Sequence, residues 1–249
     1  MPSRSRSSSL RPVIGGHACA EALKIRGSAI REVWVKGGQE RSAHFKPWVD
    51  FCKSKRVPLK IVSEETLAKL GSGHQGLALF LDETPQCDWA AIEQAESSTL
   101  CALDEIEDPQ NLGAILRTSW LAGVQAIITP TRRAASLTAT VAKVASGGAE
   151  HVPIEVVQNW LPFLTDLREQ GFWIFGLSGP SKKSLWSLQI PAKVIWIVGS
   201  EESGLRSSTA KICDELVSIP QTEQSSSYNA SIAAAIAFAE TLRQRSNPL

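Results

Sequence analysis

Three short polar stretches in the second half of this chain hold residues whose types and spacing suit chemistry. The first is Asp108-Pro109-Gln110-Asn111-Leu112-Gly113-Ala114-Ile115-Leu116-Arg117, in which Asn-x-Gly-x-x-x-Arg brings an amide, a bare backbone and a fixed cation to one place. The second is Gly199-Ser200-Glu201-Glu202-Ser203-Gly204-Leu205 and the third is Ser226-Ser227-Tyr228-Asn229-Ala230-Ser231. Asn111 is of a type that N-caps a following helix. A helical side chain points back over the residue four earlier, so Arg117 is expected over Gly113 with its guanidinium near that helix start. A helix N-terminus beside an arginine suits an anion such as an RNA phosphate; an arginine on a solvated helix face fits the same spacing. Gly199 and Gly204 allow unusual backbone angles and close approach of a ligand. Glu201 can accept hydrogen bonds or fold its loop. Ser227 and Asn229 stand at a helix entrance, where capping is the ordinary role.

The elements that must position these stretches are legible from periodicity. From Thr99 onward, apolar runs alternate with amphipathic segments. Strands are predicted at Leu100–Leu103, Gln125–Ile128, Val152–Val157, Phe172–Leu177, Val194–Val198 and Leu216–Ile219. Helices are predicted at Leu112–Ala122, Leu137–Ala145, Trp160–Glu169, Ser207–Cys213 and Asn229–Gln244. That alternation implies an α/β fold with a parallel sheet covered on both faces, and ligands of such sheets bind at the carboxyl ends of the strands. All three polar stretches fall there. Residues 12–81 read as a separate small α/β domain, residues 82–98 as a polar, acidic linker, and residues 99–249 as the larger domain. Residues 1–11 read as a disordered basic tail able to touch nucleic acid.

The 249 residues suffice for one large domain or two small ones. No apolar run approaches the roughly 20 residues of a bilayer span. Five scattered cysteines without a C-x-x-C pair, and four histidines without metal spacing, point to reduced thiols, a cytoplasmic location and no metal site. The net charge of +1 conceals an asymmetry. Residues 1–81 carry 14 Lys/Arg against 6 Asp/Glu, and residues 82–249 carry 12 against 19. A basic first half suits a polyanionic partner.

Gly71-Ser72-Gly73-His74-Gln75-Gly76 matches the dinucleotide fingerprint letter for letter. That fingerprint needs a strand before it and a helix after it. Here a helical segment precedes and Leu77–Leu81 reads as a strand, so a turn entering a strand is the better reading.

Taken together, the three stretches resemble the three signature motifs of the SpoU-type 2′-O-ribose methyltransferases of the SPOUT superfamily, in order and spacing, from Leu100 to about Arg245. The first half resembles that family's ribosomal-protein-like substrate-binding domain, with Gly15-Gly16-His17 and His74-Gln75-Gly76 at its usual motif positions. Tyr228, Ala230 and Glu202-Ser203 depart from the usual pattern. The resemblance implies a C-terminal trefoil knot, a homodimer, and S-adenosylmethionine as cofactor, held mostly by backbone groups at Gly199, Ile219 and Tyr228, with Leu177, Ser178 and Gly204 beside them. It implies RNA as substrate, ribosomal rather than transfer RNA given the separate basic domain. Arg117 is then the phosphate anchor and activating group, oriented with the ribose by Asn111, Glu201, Ser227 and Asn229. The competing readings are a transfer-RNA methyltransferase, a non-catalytic RNA-binding or ribosome-assembly protein, and, on the fingerprint alone, a nicotinamide oxidoreductase.

Overall fold

The alternation of apolar strands and amphipathic helices builds two sheets, each with its own core. The computed structural model describes residues 10–179, 181–223 and 226–246; residues 1–9 of the expected basic tail lie outside the described residues. In chain order the elements are β1 (Arg11–Ile14), α1 (Gly16–Arg26), β2 (Ile30–Lys36), α2 (Lys46–Lys55), β3 (Leu59–Val62), α3 (Glu64–Ala68), β4 (Leu77–Leu81) and α4 (Trp89–Gln94). They continue with β5 (Ser98–Asp104), α5 (Pro109–Ala122), β6 (Ala126–Pro130), α6 (Ala139–Ala145), α7 (Gly148–His151), β7 (Ile154–Val157), α8 (Trp160–Glu169), β8 (Trp173–Leu177) and β9 (Lys183–Ser184). The last are β10 (Lys193–Gly199), α9 (Ser207–Ile212), β11 (Glu215–Ser218) and α10 (Ala230–Ser246).

The chain divides into two compact units. The first comprises the chain up to Thr84 together with Leu137–Glu150. Its four strands run in the order β1-β4-β2-β3, with β4 antiparallel to both neighbours and β2 parallel to β3. Val13, Val33, Val35, Leu77, Leu79 and Leu81 alternate inward along the strands and meet Trp48 and Cys52 of α2 and Ala142 of α6 in one core. Segment 137–150 is held there by a buried ion pair. Glu150 is 1% exposed and accepts two 2.7 Å hydrogen bonds from the Arg11 guanidinium, while Arg26 Nε lies 3.8 Å from it. The G-x-G-x-x-G stretch lies between α3 and β4, so its context is the reverse of a nucleotide fingerprint. Gly71, Gly73, Gln75 and Gly76 all have positive φ, and the Gln75 side chain accepts a hydrogen bond from Gly16 N at 2.9 Å. The stretch is a turn that braces the start of α1.

The second unit comprises Pro85–Ser136 and the chain from His151 onward. Its seven strands are all parallel, in the order β7-β6-β5-β10-β8-β11-β9. Ile195 and Ile197 of β10 point to the face covered by Trp160, Leu164 and Leu167 of α8. Trp196 points to the other, stacks on Phe175 at 4.9 Å, and donates its indole N–H to Thr241 of α10 at 2.9 Å. β10 is thus buried on both faces, as its continuous apolar run requires. Arg245, near the end of α10, donates to Thr99 Oγ1, Ser98 O and Ala192 O, which fastens that helix to the entry of β5.

Two sequence expectations need correction. Arg11, read as the end of the basic tail, is a buried residue of β1 that pairs with Glu150. Asn111 is not the N-cap of α5. The N-cap is Asp108, three residues earlier, whose carboxylate accepts from Gln110 N at 2.9 Å, and Pro109 opens the first helical turn. Proline is preorganised for that position because its missing N–H would have been unpaired there anyway. Asn111 therefore lies inside the first turn, with its amide free for other partners. The strands β1 and β9 carry too little periodicity to be seen in the sequence.

Glu150→Ala leaves Arg11 buried without its counter-ion. Breaking a buried pair from one side costs about 3–5 kcal/mol. The expected result is a lower urea midpoint for the first unit, followed by the fluorescence of Trp34 and Trp48, with a smaller loss in Glu150→Gln.

Candidate active site

The sheet of the second unit presents its carboxyl edge at Asp104, Leu177, Gly199 and Ser218, and the three polar stretches meet above it. β10 and β5 run in register, so Gly199 lies beside Asp104. After Gly199 the chain makes a tight loop. Ser200 N donates to Gly204 O at 3.2 Å and Gly204 N to Ser200 O at 2.9 Å, with Gly204 at φ +65°. A β-carbon on Gly199 would stand 2.3 Å from the Gly204 carbonyl carbon, so only glycine lets the loop fold back on the strand. The loop exit is clamped: Asp104, fully buried, accepts from Arg206 N at 2.9 Å and from Arg206 Nε at 2.6 Å.

Three residues from the three stretches form a closed hydrogen-bonded set. Asn111 Nδ2 donates to Glu201 Oε1 at 2.6 Å. Asn229 Nδ2 donates to Asn111 Oδ1 at 2.9 Å and also to Glu201 Oε1. The remaining oxygen of Asn229 caps α10, accepting from Ser231 N at 2.9 Å, Ser231 Oγ at 2.6 Å and Ile232 N at 3.4 Å. Asn229 thus caps its own helix and, with its amide N–H groups, ties that helix to α5 and to the 200–204 loop.

Beside this set lies a cavity of about 940 Å³. Leu177, Ser178, Gly199, Glu201, Gly204, Ile219, Ser227 and Tyr228 all line it. Val198, Leu205, Val217 and Ala233 supply an apolar floor, and Glu201 belongs both to the wall and to the hydrogen-bonded set. The volume lies within the range of sites for drug-sized ligands. Its mixture of apolar floor, backbone polar groups and small hydroxyls can hold an amphiphilic ligand with a flat ring and a polar tail.

Arg117 stands apart from the set. It is exposed on α5, and no hydrogen bond or ion pair joins it to any described residue. A cation held by nothing on the protein is available to an external anion. Sequence reasoning did not find the Asp104–Arg206 clamp. Its only sequence signal is an Asp closing one strand and an Arg following the glycine loop, which means little until β5 and β10 are known to be neighbours. The cysteines are unsuited to nucleophilic work: burial pushes the Cys87 and Cys213 thiols up to about 12. Among the described residues no three His, Cys, Asp or Glu side chains converge on a metal position, and no helix is long and apolar enough to cross a membrane.

Residues 98–239 match the SpoU rRNA Methylase family, and residues 12–86 match the family described as RNA 2′-O ribose methyltransferase substrate binding. The chain is 34% identical over 240 residues to the 23S rRNA (guanosine-2′-O-)-methyltransferase RlmB of Neisseria meningitidis, covering 94% of this chain and 96% of that protein. It is also 34% identical over 241 residues to RlmB of Salmonella typhimurium, covering 94% and 98%. Among solved structures, the SpoU methyltransferase AviRb from Streptomyces viridochromogenes in complex with AdoMet has a TM-score of 0.83 at 21% identity, covering 96% of this chain and 91% of that one. An AdoMet-bound rRNA methyltransferase from Sinorhizobium meliloti has a TM-score of 0.76 at 21% identity, covering 96% and 88%.

Asn111→Ala removes an acceptor and a donor at the centre of the set and leaves Glu201 and Asn229 with fewer partners. The expected cost is about 1–3 kcal/mol. It should appear as a lower thermal midpoint together with faster amide exchange at residues 200–205 and 230–233.

Proposed function

The chain belongs to the SpoU rRNA methylase family, and on that premise we propose that it transfers a methyl group from S-adenosylmethionine to a ribose 2′-hydroxyl of 23S ribosomal RNA. The observation that carries this reading is the cavity walled by the second and third polar stretches and sharing Glu201 with the Asn111–Asn229 set. Its size, its apolar floor and the glycine-tight turn at its rim fit the cofactor.

When bound, S-adenosylmethionine supplies an electrophilic methyl group on a sulfonium. The protein must then place a hydroxyl oxygen in line with that methyl and help remove one proton. In this reading the backbone at Gly199, Ile219 and Tyr228 holds the cofactor, with Leu177, Ser178 and Gly204 closing the pocket. Arg117, free of protein partners, anchors an RNA phosphate and so positions the ribose. A guanidinium is a poor base because it stays protonated, so its contribution is anchoring and electrostatic activation rather than proton removal. Asn111, Glu201 and Asn229 keep the loop and both helix starts in one arrangement, and Ser227 offers a hydroxyl to the ribose.

The same reading includes a trefoil knot in the second unit, a homodimer and a cytoplasmic location. The knot is supported by the way Asn229, coming after β11, returns to bond Asn111 and Glu201. The dimer is supported by apolar side chains left uncovered on two helices packed together: Leu121 of α5 is 68% exposed, and Ile232 and Leu242 of α10 are 49% and 46% exposed.

Three outcomes test the site. Calorimetric titration should give about one S-adenosylmethionine per subunit. Arg117→Ala should retain nearly the same cofactor affinity while methyl transfer to unmethylated 23S rRNA falls below detection; full activity in that variant would remove Arg117 from the mechanism. In Gly199→Ala the added carbon meets backbone atoms 2.3–2.5 Å away, and cofactor binding should be lost in a chain that still folds.

A further inference from the structure

The first unit is the basic half of the chain, yet seven of its described cations stand in ion pairs. It has thirteen described Lys and Arg side chains. Arg11 and Arg26 face Glu150; Lys24 faces Glu21; Arg31, Lys36, Lys46 and Lys60 face Asp82, Glu64, Asp50 and Glu32. Six cations have no ion-pair partner among the described residues, and three of these fall within four consecutive positions, Lys53-Ser54-Lys55-Arg56, at the C-terminal end of α2. All three are exposed. The one acid of α2, Asp50, is bonded to Lys46 at 2.6 Å.

Lysines in a last helical turn complement the partial negative charge of the helix end, and this accounts for Lys53 and Lys55. It does not account for Arg56. Arg56 occupies the C-cap in the left-handed region, φ 56° and ψ 35°, with its N–H bonded to Cys52 O. That position suits glycine or asparagine, because a β-carbon there is strained. A strained backbone at an exposed cation without a protein partner points to a role directed outward.

We propose that Lys53, Lys55 and Arg56 form a contact patch for the phosphate backbone of the RNA substrate, separate from the Arg117 anchor. The inference rests on the reading of the chain as an RNA methyltransferase. The three exposed cations, of which Lys53 also lies near enough to Asp50 to help hold its carboxyl below the usual range, provide affinity without base selectivity, since phosphate contacts position a nucleic acid and carry no sequence information. Each contact releases a counter-ion and so contributes to the salt dependence of binding.

The test compares two triple variants of the full chain with equal loss of charge. Lys53→Gln/Lys55→Gln/Arg56→Gly removes the free cations, and Lys24→Gln/Lys46→Gln/Lys60→Gln removes paired ones. Binding of an unmethylated 23S rRNA transcript is measured between about 50 and 200 mM salt. The first variant should lower the slope of log K against log salt by about 2 and weaken binding roughly 10- to 100-fold. The second should change the slope by less than half as much, and S-adenosylmethionine binding should be unchanged in both. Arg56→Gly alone should raise the thermal midpoint while lowering RNA affinity, opposite directions that a structural role would not produce. Equal slopes in the two triple variants, or an unchanged slope in the first, overturn the patch. A wild-type chain that binds the transcript with the expected slope difference but methylates no RNA would support the patch and sink the functional reading. Failure of the wild-type chain to bind RNA overturns both.

Discussion

The second unit depends on one hydrogen-bonded closure, in which Asn111, Glu201 and Asn229 satisfy one another across sequence separations of 90, 28 and 118 residues. The residue types follow from the geometry. An amide side chain can donate and accept at once, and a carboxylate can only accept when ionised. Asn111 does both, Glu201 only accepts, and Asn229 donates to both while its oxygen caps α10. Replacing either asparagine by aspartate would set a carboxylate against Glu201. The arrangement brings together two helix starts and a glycine loop that no local interaction would join, and Glu201 of that loop is also part of the cavity wall.

The sheet prepares that closure. With all seven strands parallel, their carboxyl ends lie along one edge, so every strand-to-helix loop starts from the same side. β10 lies at the centre between β5 and β8, buried on both faces, and delivers Gly199 to the rim. Close packing beneath the loop is equally specific. A β-carbon on Gly176 would stand 2.7–2.9 Å from Leu205, Cys213 and Leu216, so β8 must be bare where the loop exit and β11 press on it. The Asp104–Arg206 clamp then fixes the chain as it leaves the loop, a charge-assisted bond bridging 102 residues.

The sequence made the strands and helices of the second unit legible because both periodicities are strong there, and the site was legible because polar residues interrupt apolar runs at the same relative place three times. Two things were hidden for physical reasons. The start of α5 was misplaced because Asn111 and Asp108 are both good capping residues, and only the proline at position 109 discriminates between them. The grouping of Leu137–Glu150 with the first unit could not be read locally, because it rests on contacts such as Arg11–Glu150, which join residues 139 apart.

Charge shows the same difference between what composition reveals and what structure adds. Counting residues correctly identifies the first half as basic, but a count cannot separate a lysine bonded to glutamate from one facing solvent. In water an exposed ion pair contributes little to stability, yet pairing still decides which cations remain free to release counter-ions to a polyanion. The cluster from Lys53 to Arg56 at the end of α2 stands where composition and pairing point the same way, and Arg117 on α5 shows that an exposed cation without an ion-pair partner also occurs in the acidic half. Affinity for a nucleic-acid backbone should therefore follow the unpaired cations and not the net charge of +1, which sums two halves of opposite sign.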